Sequence, residues 1–91
     1  MPLKIFVPTL LQKNTGGLNC VEIEAKTVRD LIDKLDERYP GFRARICGED
    51  GELRNFINLY IEDEDIRFLD NLSTLIPDGS EVSIIPAIAG G

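Results

Sequence analysis

Histidine is absent from this chain, and its two cysteines, Cys20 and Cys47, stand far apart in the sequence. Residues of these types are what metal coordination and nucleophilic catalysis draw on. A structural zinc needs thiolate and imidazole ligands in paired spacing, and a cysteine nucleophile needs a neighbouring base. Neither arrangement is present, so both thiols read as reduced and structural. The acidic run Glu62, Asp63, Glu64, Asp65 lacks the alternating ligands and central glycine of an EF-hand loop, and it reads as a solvated hairpin turn; GEDGE, residues 48–52, reads the same way. No glycine-rich phosphate loop and no nucleophile beside a base can be found, which argues against catalysis by the chain itself and against a bound cofactor or metal. What remains is the last stretch, SIIPAIAGG. Glycine has the widest φ/ψ freedom of any residue, so an apolar strand that runs into Gly90 and Gly91 is not built for stability alone.

The 91 residues are enough for one domain with a modest core. With 43% hydrophobic and 29% charged residues, the composition is that of a folded globular domain rather than a disordered one. No apolar run is long enough to span a bilayer, and MPLKIFVP lacks the features of a secretion signal, so the expectation is a cytoplasmic protein without membrane partners. A net charge of −6, with ten basic residues set among sixteen acidic ones, argues against nucleic acid.

Periodicity supplies the elements that must carry the tail. Leu3, Ile5 and Val7 alternate with Lys4 and Phe6, the signature of a strand with one buried face. Asn14, Thr15, Gly16 and Gly17 carry turn chemistry, and Val21 and Ile23 alternate with Glu22 and Glu24 in a second strand. Thr27 with Asp30 three residues on forms a capping pair, and Val28, Leu31, Ile32 and Leu35 recur at helical spacing until Tyr39, Pro40 and Gly41 stop the helix. Residues 41–55 read as a looser segment. Ile57, Leu59 and Ile61 then alternate with Phe56, Asn58 and Tyr60 in a third strand, and a short strand over IRF, residues 66–68, is expected to complete a hairpin. LDNLSTL suggests one helical turn, PDGSE a turn, and EVSIIP the final strand, ended by Pro86, which cannot donate to a ladder.

The order strand, strand, helix, strand, strand, strand predicts an α+β protein of the β-grasp (ubiquitin-like) kind. One main helix covers one face of a mixed sheet of four to five strands, whose first and last strands pair in parallel at the centre. Residues 1–86 would form the domain and residues 87–91 an exposed tail. On the face away from the helix this order places Phe6, Asn58, Tyr60 and Ile85 together, where polar residues are expected. Such an apolar cluster marks a partner surface if it faces water; alternatively residues 40–55 fold over it.

The stretch DGSEVSIIPAIAGG, the hairpin NLYIEDEDIRF and this element order resemble the ThiS/MoaD family of ubiquitin-like sulfur carrier proteins, whose members end in a DG turn, a strand and AGG. The resemblance spans essentially the whole chain. The fuller segment between helix and third strand and the IIPAIAGG ending are most similar to the branch that serves cysteine biosynthesis. The alternative is the small subunit of molybdopterin synthase, in which two prolines often stand where this chain has Pro86 and Ala87. The resemblance implies that the carboxylate of Gly91 is activated with ATP by an E1-like adenylating enzyme and converted to a thiocarboxylate. Its sulfur then passes to an acceptor on a second enzyme, a pyridoxal-phosphate-dependent cysteine synthase or the large subunit of molybdopterin synthase. Ala87, Ile88, Ala89 and Gly90 would thread those active sites, and the protein would be a cosubstrate rather than an enzyme. A ubiquitin-like modifier joined to lysines through Gly91 is the other reading, and it parts from the first at the product.

Overall fold

A computed structural model describes residues 1–86. Its sheet has five strands, β1 (Leu3–Phe6), β2 (Cys20–Ile23), β3 (Ile57–Ile61), β4 (Glu64–Asp65) and β5 (Glu81–Pro86), in the order β2-β1-β5-β3-β4. β1 and β5 run parallel at the centre, with Ile5 opposite Val82, and the other pairings are antiparallel. This is the β-grasp arrangement expected from the sequence. The alternating residues fall as their period requires: Leu3, Ile5, Val21, Ile23, Ile57, Leu59, Ile61, Val82 and Ile84 are all buried on one face.

That face is covered by α1 (Val28–Arg38), which turns Val28, Leu31, Ile32 and Leu35 into the core. Thr27 caps it by accepting from the backbone N–H of Asp30 at 3.1 Å, and Asp30 reaches back to the N–H of Lys26 rather than to that of Thr27. Two side chains of α1 also close the free edge of β2. Lys34 Nζ donates to the Glu24 carbonyl at 2.8 Å and Arg38 Nη1 to the Glu22 carbonyl at 3.0 Å, so those edge acceptors are already satisfied.

Three segments depart from expectation. Residues 9–15 form a 3₁₀ segment, Thr9–Thr15, closed by Gly16 in the left-handed region at φ 66°. The hairpin between β1 and β2 is therefore broad rather than tight. The segment after the first helix is not loose throughout, since α2 (Phe42–Ile46) buries Phe42 and Ile46. It starts at Gly41, whose φ of 97° suits glycine, and the Asp36 carboxylate near the end of α1 accepts from the backbone N–H groups of Gly41 at 3.2 Å and Arg43 at 3.0 Å. Finally, IRF is a 3₁₀ turn, Ile66–Phe68, and not a strand. The strand that pairs with β3 lies earlier, at Glu64–Asp65, so the acidic run divides into a two-residue turn, Glu62 and Asp63, and the short strand itself. The Asp65 carboxylate accepts from the backbone N–H of Arg67 at 2.9 Å, and this local bond favours the turn over further pairing. The helical turn expected in LDNLSTL is present as a 3₁₀ turn over Asn71–Ser73.

Candidate functional site

The central strand β5 ends at Pro86, whose Cα partner is Ile57 at the start of β3. Pro86 has no N–H to extend the ladder, and it stands at the end of the sheet where β1 also finishes. Ala87, Ile88, Ala89, Gly90 and Gly91 lie outside the described residues.

Beside that end the outward face of the sheet carries the cluster expected from the sequence. Ser83 stands between Phe6 on one neighbouring strand and Tyr60 on the other, and Ile85 lies opposite Asn58 in the next row. Phe6 is 39% and Ile85 46% exposed, whereas Asn58 and Tyr60 are half-buried. The segment 40–55 does not cover them, because Phe42 and Ile46 point into the core on the opposite side of the sheet. Among the described residues nothing covers this face, an apolar patch rimmed by polar groups. Sequence reading overlooked Ser83, which alternation along β5 places outward between Phe6 and Tyr60.

It also overlooked Arg67. Its guanidinium donates to the side-chain oxygen of Asn58 and, at 2.8 Å, to the carbonyl of Ile57. A longer bond of 3.4 Å runs to the carbonyl of Arg54. Arg67 thus holds the Asn58 amide in one orientation and clamps the start of β3 beside Pro86. A guanidinium with several donors in a rigid plane suits this bridging role, but no periodic pattern marks it in the sequence.

The cysteines offer no chemistry at this site. Cys47 is buried in the core, and burial pushes its thiol above the ordinary value of 9.0, an effect that Arg43 partly opposes. Cys20 is half-buried opposite Phe6 at the sheet edge, and both thiols are free. Tyr39 packs against the core, as its place at the helix end suggests. Among the described residues no group of three or more Cys, Asp or Glu side chains is placed to hold a metal ion, and no helix is long and apolar enough to cross a membrane.

A mixed sheet with parallel terminal strands, one covering helix and an apolar outward face beside the strand end define a β-grasp domain of the ubiquitin-like class. The pattern of the ThiS family matches residues 7–91, and the chain belongs to that family. It is similar to the sulfur carrier protein CysO of Mycobacterium tuberculosis, 39% identical over 93 residues with both chains fully covered. A putative sulfur carrier protein of Archaeoglobus fulgidus is 34% identical, again over the full length of both. Among solved structures, a chain of the Amycolatopsis orientalis BexX/CysO complex superposes with a TM-score of 0.92 at 40% identity, covering 98% of this chain and 99% of that one.

Proposed function

We propose that this protein is a sulfur carrier of the CysO kind, a protein cosubstrate that serves cysteine biosynthesis through the carboxylate of Gly91. The observation that carries the reading is the placement of the end of the central strand, which brings Pro86 to the rim of an apolar outward face. Full-length similarity to CysO supports it.

The chemistry follows from the weakness of a carboxylate as an electrophile. In an adenylating enzyme, a carboxylate oxygen of Gly91 attacks the α-phosphorus of ATP and pyrophosphate leaves. A sulfur nucleophile then adds to the acyl carbon and AMP departs, so the acyl carbon ends bonded to one sulfur and one oxygen. One difficult substitution becomes two easier ones. The thiocarboxylate sulfur next bonds to the electrophilic carbon of an activated serine held by a pyridoxal-phosphate enzyme as the serine's activating group leaves. Hydrolysis of the acyl–sulfur bond then frees cysteine and returns the Gly91 carboxylate. Gly90 and Gly91 present only backbone to a narrow channel, and Ala87, Ile88 and Ala89 provide a slim approach. Phe6, Asn58, Tyr60 and Ile85 provide the surface on which partner enzymes seat.

Intact-mass analysis of protein purified from its own cells tests the reading. A fraction of molecules should show the mass gain of one sulfur replacing one oxygen, localised to the C-terminal fragment. Conjugates to other proteins with no thioacid at any growth condition would assign Gly91 to isopeptide chemistry instead.

A further inference from the structure

The chain is acidic as a whole, yet the end of the sheet where β5 finishes is not. A groove of about 230 Å³ lies there between the 3₁₀ segment, α2 and the start of β3. Leu10, 53% exposed, and Phe56, 42% exposed, line it together with Lys13, Arg45 and Arg54. Ile57, the Cα partner of Pro86, lines it as well, so the groove adjoins the end of β5 directly. No carboxylate lines it, and none of its three cations has an ion-pair partner among the described residues. Arg54 is held across the groove by donating to the Ala44 carbonyl at 2.9 Å. At the opposite end of the sheet stand Glu62, Asp63, Glu64 and Glu81, all exposed. In a molecule of net charge −6, three cations without ion-pair partners among the described residues thus share one groove beside Pro86.

We propose that this groove is a docking collar for the adenylating enzyme, and that the lip of that enzyme's channel is acidic with an apolar side chain to meet Leu10 and Phe56. The inference rests on the sulfur-carrier reading and adds the chemistry of the partner surface. Reach supplies the geometric reason. Five residues follow Pro86, and fully extended they span at most about 18 Å. An enzyme that encloses Gly91 therefore brings its channel mouth up against the residues around Pro86. Unpaired cations there attract a lip of opposite sign, steer the encounter and reject a basic one.

The test is the steady-state kinetics of pyrophosphate release with the adenylating enzyme of the same organism and the full-length chain. Lys13→Glu with Arg45→Glu changes two exposed side chains that make no hydrogen bond among the described residues, so the fold should be retained, with an unchanged melting temperature as the check. The KM for the carrier should rise by about tenfold or more while kcat holds, and added salt should weaken the wild-type reaction more than the variant's. Glu62→Lys with Glu64→Lys, at the far end, should leave KM within about twofold, since charges beyond a screening length are largely hidden. An unchanged KM for the collar variant overturns the inference. So does a KM for ATP that rises in step, since the collar would then be binding nucleotide phosphate. A wild-type chain that never yields pyrophosphate fails the sulfur-carrier reading and takes the collar with it, whereas equal loading of wild type and variant fails the collar alone.

Discussion

At the scale of single residues, the two thiols separate by environment and not by sequence. Cys47, 4% exposed, is kept protonated by burial, and Cys20 at the sheet edge is more accessible. In the native protein at mildly alkaline pH, iodoacetamide should therefore label Cys20 well before Cys47, with peptide mapping as the readout; equal rates would show that the core opens locally. The raised value also carries a pH dependence. A group whose folded pKa lies above its unfolded one contributes stability that is complete below the unfolded value and is lost as pH rises through the folded one. Urea midpoints should accordingly fall as the pH climbs past 9.0, and a Cys47→Ala variant should lose that part of the slope. On the outward face, Ile85→Asp or Phe6→Asp should cost about 1 to 2 kcal/mol, since each side chain is more than half covered and Asp is a poor strand former, and leave the domain folded. Each should raise the KM for adenylation, because a charge placed in an apolar contact must be desolvated on docking.

At the scale of elements, what the sequence disclosed was what repeats. β1, β2, β3, β5 and α1 each show several turns of one period, and the structure places their buried residues on the faces that the period requires. α2 and the 3₁₀ segments offer too few residues for a period to establish itself. In α2 only Phe42 and Ile46, one turn apart, hint at a face. The outward cluster of Phe6, Asn58, Tyr60 and Ile85 was legible once strand order was known, since alternation fixes the face and pairing fixes the neighbours. Arg67 and the groove were not, because they arise where segments distant in sequence meet. Two substitutions probe the elements. Leu35 is fully buried in α1, so Leu35→Ala should cost about 2 to 5 kcal/mol in a urea titration. The turn between β3 and β4 holds Glu62 at φ 49° and Asp63 at φ 73°, a conformation that costs an L residue roughly 1 to 2 kcal/mol. Asp63→Gly should therefore stabilise the protein by up to about 1 kcal/mol, and a loss would mean that the Asp63 side chain makes a compensating contact in solution.

At the scale of the whole molecule, the proposed chemistry falls outside the residues that build the described core. Among the described residues the buried core is built from every strand but β4 and from both helices, with Val82 and Ile84 on its central strand. Deleting residues 87–91 should leave the melting temperature nearly unchanged and abolish sulfur loading, while a single residue added after Gly91 should abolish loading as completely. A deletion that unfolds the domain would show that the tail packs against it. The central position of β5 has a further consequence, for how the protein is made. β1 is synthesised first and β5 last, yet the two are hydrogen-bonded neighbours, and β3 has no place in the sheet until β5 lies between it and β1. The ribosome needs roughly 5 to 18 s for a chain of this length, and for almost all of that time the polypeptide lacks the strand on which its two halves join. Completion of the sheet must wait for β5, and a nascent chain broken off before Glu81 lacks the strand that joins β1 to β3. Degradation in the cell would then remove every copy that lacks its last strand, so the population that folds consists of chains synthesised at least through β5.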